Sequence, residues 1–461
     1  SVRRISVPVE RYLGTAILNY ELSDNIKAFT EVTYAKVKSS SQMEATPLDY
    51  TDIYDQGGIP LTNAFIPQSV LDQINAYNAT ATTPVTHLGF RRRQNEVFNR
   101  SNNASRDTWR VAAGLKGDIS DKWRFETSYV YGHFKDLTTS QDVDSARYRN
   151  ALNSERLADG TVRCVDAAAR ADGCVPINIF GYGTASPEAS AYVQAVVPKS
   201  EEITQSQHVL SAVISGSPFA LPAGDVGVAF GAEYRKEKSI DDLDILTNTG
   251  GNSGNEIPDT YGKFDVWEVY GEVNVPILRD TPFFNNLAVG GAVRYSDYSQ
   301  PQVGGVVSWS VNGDWSPMPG LSFRSTYSVA NRAPNISEFA SAPSETFAGV
   351  NDVCNNVTAT RNNAADAACR AIPAIAAAIA ANGVFKYTAA DLQGINGFVG
   401  GNPNLKEEKA KTFTVGAVFQ PSFIPRFSMT VDYFDIKVKD AINSLDRDLS
   451  IEQCLLTSNS A

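Results

Sequence analysis

The sequence lacks the features by which many enzymes and helical membrane proteins are recognised. It has no run of about 18 apolar residues, which excludes a transmembrane helix. Its three histidines, His87, His133 and His208, are scattered, and no HExxH, GxSxG or P-loop motif occurs. We interpret these histidines as ordinary strand or loop residues. We therefore expect no cofactor, no metal site and no enzymatic activity.

A surplus of basic residues is also missing. The chain has 40 Lys and Arg against 51 Asp and Glu, a formal net charge of -11. No basic stripe with interleaved aromatics offsets this balance, which argues against a nucleic-acid partner. The cluster Arg91–Arg93 is too short to change that, and we interpret it as a solvated strand or loop end.

The first residues, SVRRISVPVERYLG, contain no apolar segment of the kind found in signal peptides. We therefore expect Ser1 to be either a processed start or a cut within a longer protein.

Cysteine is scarce, and its spacing is informative. Cys164 and Cys174 form one local pair, and Cys354 and Cys369 form another, each in a loop-like stretch. No CxxC motif and no nearby histidine support zinc. Such pairs suit disulfides made in an oxidising compartment such as the periplasm. For Cys454, the odd cysteine near the terminus, we expect a partner beyond Ala461.

What the sequence has in abundance is alternation of period 2, the pattern of β-strands with one apolar face. It predicts twelve strands in six hairpins with short turns. The predicted hairpins run over 11–37, 109–131, 208–236, 267–295, 307–329 and 413–439.

The connections between hairpins are mostly long and polar, about 40–106, 136–205, 238–262 and 331–411. Short turns at one end and long loops at the other are typical of an outer-membrane β-barrel. A soluble sandwich rarely tolerates several such loops. We therefore predict an all-β, antiparallel transmembrane barrel, with periplasmic turns and extracellular loops. Within the longest loop, the Ala-rich segment 371–381 predicts a short helix.

One face of each predicted strand carries the aromatic residues, including all five tryptophans, and is predicted to contact lipid. The other face carries charges and is predicted to line a polar lumen. The lumen-lining candidates are Arg124, Arg235, Arg294, Arg324 and Asp432. Each of them singly is expected to be a solvated, paired interior residue, and together they imply a polar passage.

Several segments resemble TonB-dependent receptors of the Gram-negative outer membrane. FRSTYSVANRAPNISEF, residues 323–339, resembles the family's FRASYS-x-A-x-RAPNI-x-E-L segment. GGNPNLKEEKAKTFTVGAVFQP resembles the family's NPxLxPEK segment entering the next strand, although Glu407 stands where proline is usual. Three further segments also resemble sequences of this family: FSMTVDYFDIKVKDAI, VYGEVNVPIL and LAVGGAVRYSDYS.

The resemblance implies a barrel of about 22 strands closed around a plug. Nothing in the chain resembles the plug, the TonB box or the closing C-terminal strand. We therefore expect residues 1–461 to be part of a receptor barrel, twelve strands of the larger barrel.

The implied function is active uptake of a scarce ligand across the outer membrane, with energy from the TonB complex. Loop aromatics are Tyr and Phe rather than Trp, which favours an iron–siderophore complex as ligand. Three alternatives stay open: oligosaccharide or vitamin uptake by the same class, a passive porin or structural barrel, and a soluble β-rich binding protein.

Overall fold

The computed structural model describes residues 6–48, 58–349, 351–387, 395–444 and 446–457. Its main element is an antiparallel sheet of twelve strands. In chain order these are β1 (Val9–Ser23), β2 (Ile26–Met43), β3 (Arg100–Ser120), β4 (Trp123–Ser140), β5 (Lys199–Gly216), β6 (Gly227–Leu243), β7 (Thr260–Thr281), β8 (Phe284–Tyr298), β9 (Gly305–Met318), β10 (Leu321–Arg332), β11 (Glu408–Phe419) and β12 (Met429–Lys439).

Strands that are neighbours in the chain are neighbours in the sheet, from β1 at one edge to β12 at the other. The six hairpin turns all lie at one end, here called the turn end, and four of them contain only two residues. At the opposite loop end, the connections run over 44–99, 141–198, 244–259, 299–304 and 333–407. The predicted twelve strands in six hairpins are therefore confirmed.

Two details differ from the prediction. First, β3 begins at Arg100, because its polar outer end still pairs with β2 although it shows no apolar alternation. Second, the apolar residues Phe434, Ile436 and Val438 suggested a bulge or an exit from the membrane in β12. The prediction of a bulge is wrong, since β11 and β12 pair without a register shift from Lys409 to Phe419. Instead, the face with Met429, Val431 and Tyr433 ends in Asp435 and Lys437, and the apolar residues beyond Tyr433 lie on the other face.

The turn between β9 and β10 requires a glycine. Gly320 has a φ of +83°, in the left-handed region that glycine adopts at little cost. A β-carbon there would lie 2.4 Å from the carbonyl oxygen of Gln420. The backbone N–H of Gln420 donates to the carbonyl oxygen of Gly320, so two neighbouring turns are joined at this point.

The apolar face of the sheet carries two rows of aromatic side chains. Near the turn end, the ring of Trp315 stacks on Phe323 at 5.4 Å between centroids. Nearer the loop end, Trp309 lies 5.6 Å from Tyr327. Trp309 and Trp315 are six residues apart on β9, about 20 Å along the strand. Two aromatic rows on one face are the arrangement of the girdles that flank a lipid-facing band.

Charged side chains appear on the apolar face beyond the row nearer the loop end. On β6, Tyr234 is followed on the same face by Lys236 and Lys238. On β2 and β3, Lys36 and Asp107 form an ion pair at 3.1 Å next to Tyr34. The lipid-facing band therefore ends at this row, and the strands continue past it towards the loops.

The sequence suggested that the long connections 44–99 and 141–198 are loops without secondary structure, but the structure shows otherwise. They contain four helices, α1 (Gln68–Asn78), α2 (Ser145–Leu152), α3 (Ala167–Ala171) and α4 (Pro187–Val193). They also contain three short ribbons, Pro47–Leu48 with Arg92–Arg93, Ile59–Pro60 with His87–Leu88, and Ser154–Arg156 with Val162–Cys164. A shared apolar core, which includes Ile59, Tyr148, Ile177 and Val193, packs them together. Because these connections bury their own apolar core, they form an ordered cap at the loop end.

Three smaller elements belong to the same compact unit as the sheet. They are helix α5 (Ile245–Asn248), helix α6 (Ile336–Ala340) and, in the β5–β6 turn, the ribbon Ala220–Leu221 with Gly224–Asp225.

Residues 343–401 and 441–461 form a second compact unit. It contains helices α7 (Asp366–Ala371), α8 (Pro373–Asn382) and α9 (Arg447–Thr457) and two ribbons, Ser344–Ala348 with Ile395–Val399 and Val357–Thr358 with Val384–Phe385. Helix α8 confirms the predicted Ala-rich helix. Among the helices of the described residues, none combines the length and apolarity needed to cross a bilayer.

The lipid-facing assignment is tested by an arginine on either face of β9. Val311 lies on the apolar face between Trp309 and Trp315, and it is half exposed. We expect Val311→Arg in the full-length protein to lower the free energy of unfolding in lipid vesicles by about 2–4 kcal/mol. Ser310→Arg, on the polar face, is the matched control and is expected to cost much less. Equal losses for both variants would contradict the assignment.

Candidate functional site

All five predicted lumen-lining residues lie on the polar face of the sheet, but they are not gathered in one site. Near the turn end, Arg124 borders a cavity of about 770 Å³ together with Glu272, Asn274 and Asn312. Small residues such as Gly290 and Ala292 form much of its wall. This turn-end cavity is open and polar, which suits contact with water or with another polar protein segment.

Arg294 and Arg235 are each held by neighbours on the polar face. The guanidinium of Arg294 donates to Glu268 Oε2 at 2.9 Å and lies 4.5 Å from the ring centre of Tyr270. The buried carboxylate of Glu268 also accepts a hydrogen bond from Ser296. Arg235 pairs with Glu237 at 3.1 Å. These contacts make the two arginines part of the wall.

Arg324 and Asp432 are brought together, although one strand separates them. The Arg324 guanidinium donates to both carboxylate oxygens of Asp432, at 2.9 and 3.1 Å. The strand between them presents Gly416, which lies opposite both residues in the ladder. A β-carbon at Gly416 would lie only 1.9 Å from Asp432 Oδ1. The absence of a side chain at Gly416 is therefore what lets the pair form across β11.

Sequence reasoning missed the role of the segment that follows β10. Asn335 caps α6 by accepting from the backbone N–H of Glu338, and the Glu338 side chain accepts from Asn335 in return. The pattern Asn-x-x-Glu is a capping-box signal that could have revealed this helix. Ile336 on α6 packs against Phe264 and Val266 of β7, so the helix lies over the polar face.

Arg332, the last residue of β10, fixes this segment. It pairs with Glu338 of α6 at 2.9 Å and with Glu408 of β11 at 2.7 Å. The Arg332 guanidinium lowers the pKa of the Glu338 carboxyl. A side chain at Gly262 would collide with Ile336, with a β-carbon 2.2 Å from its Cγ2. The start of the longest connection is therefore anchored onto the sheet.

A second cavity, of about 550 Å³, lies between α6 and the polar face of β3 to β6. We call it the loop-end cavity. Its wall includes the amide side chains of Gln205 and Gln207, the ring of Phe134, and Ser239 and Ser337. No sequence signal marks it, because its residues come from five elements and carry no motif.

The outer rim near this cavity is acidic. Asp241 lies on the polar face of β6, seven residues beyond Tyr234 and so past the lipid-facing band. Burial raises the pKa of Asp241 to about 6, and the nearby carboxylates of Glu201, Asp259 and Asp242 add to this rise. An incoming anion therefore meets negative charge at the rim.

The four predicted disulfide cysteines form two bonds in the structure. Cys164 and Cys174 are bonded with their Cα atoms 6.3 Å apart, and Cys354 and Cys369 with theirs 5.5 Å apart. In the second unit, the Arg361 guanidinium donates to the buried carboxylate of Asp366. This hydrogen bond lowers the pKa of the Asp366 carboxyl. Cys454 lies on α9.

In the described ranges, which omit residues 49–57 and 388–394 among others, no group of three or more His, Cys, Asp or Glu is arranged to hold a metal ion.

Comparison with known proteins identifies the fold and the family. An antiparallel sheet with two aromatic girdles and a polar inner face is that of a barrel protein of the outer-membrane type. The family model "TonB dependent receptor-like, beta-barrel" matches residues 45–459. The chain belongs to this family of TonB-dependent receptor barrels, and the predicted family resemblance is confirmed.

Solved structures with a similar fold include three receptors or transporters. The siderophore receptor PirA from Acinetobacter baumannii is 13% identical, with a TM-score of 0.46, 94% of this chain covered and 44% of that chain. The ferric-catecholate import receptor Fiu from K12 E. coli is 12% identical, with a TM-score of 0.45 and coverages of 96% and 53%. The RagAB peptide transporter is 12% identical, with a TM-score of 0.48 and coverages of 96% and 42%.

The present chain thus spans about half the length of these proteins or less. No curated protein matches the sequence.

The bridge across β11 is tested by filling Gly416. We expect Gly416→Ala to displace the Asp432 carboxylate and to break its pairing with Arg324. Because both side chains are about half exposed, the loss of unfolding free energy is expected to stay below about 1 kcal/mol. In a double-mutant cycle, Asp432→Asn should add little to Gly416→Ala. Gly313→Ala, where the nearest atom to the new β-carbon is 3.9 Å away, is the control. Fully additive losses would contradict the bridge.

The acidic rim predicts a pH dependence. Because the folded-state pKa of Asp241 lies above its ordinary value of 3.8, its protonated form favours folding and its ionised form opposes it. This contribution to stability is present below about pH 4 and is lost as the pH rises to about 6. We expect Asp241→Asn to raise Tm at pH 7.5 and to change it little at pH 4. Asp24→Asn, in the exposed β1–β2 turn at the opposite end of the sheet, is the control. A gain in Tm confined to acidic pH would contradict this sign.

Proposed function

We propose that this chain forms the barrel portion of a receptor in the outer membrane of a Gram-negative bacterium, which takes up a scarce ligand with energy from the TonB complex. The observation that carries the proposal is the family match over residues 45–459. The two aromatic girdles support a place in lipid. The charged pairs on the polar face support a hydrated passage with fixed walls.

We infer that the receptor's barrel includes strands outside residues 1–461. In the described part of the chain, β1 and β12 are edges of the sheet. An unpaired edge exposes N–H and C=O groups, which a bilayer cannot satisfy. Pairing of both edges with further strands removes this cost. A plug within the completed barrel would connect the receptor to TonB, and the polar turn-end cavity is where this chain offers such a segment a surface.

For the ligand, we propose an iron–siderophore complex as the first candidate. Uptake of an oligosaccharide or a vitamin by the same class of receptor is the second candidate. The ordered cap at the loop end supports ligand capture, because its buried core and the disulfide Cys164–Cys174 hold loop residues in fixed positions. Receptors of this kind bind and transport, and the proposal includes no covalent chemistry.

The proposal is tested by uptake in cells that carry the full-length gene. We expect deletion of the gene to reduce accumulation of a labelled ferric siderophore, and deletion of TonB to reduce it to the same level. Restoring each gene should restore uptake. Uptake that depends on the gene but persists without TonB would indicate a passive porin instead. Reading the full gene for a plug and a TonB box is an independent check.

A further inference from the structure

We propose that the loop-end cavity is a binding site for an electrically neutral ligand rich in hydroxyl or amide groups, such as a neutral hydroxamate iron chelate or an oligosaccharide. This inference rests on the proposed function and names the class of ligand that the site takes. It is carried by the cavity wall, by the pairing of the charges around it and by the acidic rim.

The cavity has the size and the lining of a small-molecule site. Its volume of about 550 Å³ lies within the usual range for ligand pockets. The ring of Phe134 and the side chain of Ile336 supply apolar surface on two sides. Gln205, Gln207 and Ser337 supply hydrogen-bonding groups between them.

The two glutamines keep unused hydrogen-bonding capacity. Gln207 Nε2 donates to Glu237 Oε1 at 3.1 Å, and Gln205 Nε2 makes a long contact of 3.5 Å with Ser239 Oγ. An amide side chain carries two donors and a carbonyl acceptor. Among the described residues, each glutamine therefore still has one N–H and its carbonyl oxygen available for a ligand.

The charged residues that border the cavity are already occupied. Arg110 pairs with Glu31 at 3.3 Å, and Glu237 pairs with Arg235 at 3.1 Å. Lys238 lies with its ammonium 5.4 Å from the ring centre of Tyr261, on the opposite face of the sheet. An anionic ligand would have to compete with Glu31 for the Arg110 guanidinium, whereas a neutral ligand leaves these contacts intact.

The acidic rim also favours a neutral ligand over an anionic one. Glu201 and Asp241 lie on the polar face between the cavity and the loops. A ligand with several negative charges is repelled on its way to the cavity, and a neutral one is not. The site therefore favours a neutral ligand for two reasons. Its wall offers uncharged hydrogen-bonding groups, and its acidic rim repels anions.

The test uses the purified full-length receptor and three probes: a neutral ferric tris-hydroxamate chelate, a trianionic ferric tris-catecholate chelate and an uncharged linear glucose oligosaccharide. Calorimetric titration gives each Kd. We expect one neutral probe to bind at least tenfold more tightly than the trianion. Which of the two binds distinguishes a chelate receptor from a saccharide receptor. Tighter binding of the trianion, or no binding of either neutral probe, overturns the inference.

Variants then locate the site. Gln205→Leu with Gln207→Leu is expected to weaken the bound neutral probe about 10- to 100-fold, since each amide contributes up to about tenfold. Ser337→Trp, at an exposed position of α6, fills the cavity without altering a strand and is expected to abolish binding. Asn286→Leu, on the polar face of β8 and outside the walls of both cavities, is the matched control and should change Kd less than twofold.

Heat-modifiable migration on gels verifies that each variant is folded. Equal weakening by Asn286→Leu, or unchanged binding by folded Ser337→Trp, overturns the location. Failure of the proposed function has a different signature, because it appears as cellular uptake that persists without TonB while binding to the purified receptor is unaffected.

Discussion

The structure depends on the register of its backbone hydrogen bonds. Side chains alternate between the two faces of each strand, so a shift of one residue would exchange the apolar and the polar face. Trp309 and Trp315 would then lie on the face that now carries Arg324, and Ser310 on the opposite one. The ladder avoids this over eleven strand pairs, and its few irregularities lie near the turns, for example between Pro276 and Leu278. There the missing N–H of proline is tolerated.

The same constraint organises the polar face. Charged residues at fixed register positions meet partners on neighbouring strands, as Arg294 meets Glu268, or across a glycine, as Arg324 meets Asp432. These pairs are partly exposed, so each contributes little to stability. Their larger effect is electrostatic. They leave the polar face hydrated, with several of its basic groups next to carboxylates.

The loop end is built by different means. There the backbone leaves the sheet, and order comes from a small shared core, the disulfide Cys164–Cys174 and specific anchors. Arg332 is the clearest anchor, because it joins the end of β10 to α6 and to the start of β11. Such local packing places polar side chains at defined positions at the loop end of the polar face. Substitutions in the loops can therefore alter the chemistry of the loop end without disturbing the strands.

Periodicity alone determined the twelve strands, their pairing order, the turn and loop ends, and which face carries Trp309 or Arg324, because alternation is a local property with a fixed geometric meaning. The cysteine spacing suggested two local pairs for the same reason. Tertiary structure decided the rest. Gly416 matters only because Arg324 and Asp432 reach across it, and the loop-end cavity exists only because Gln205, Phe134 and Ser337 converge from distant parts of the chain. Contacts between residues far apart in sequence leave no local pattern, so only the folded arrangement reveals them.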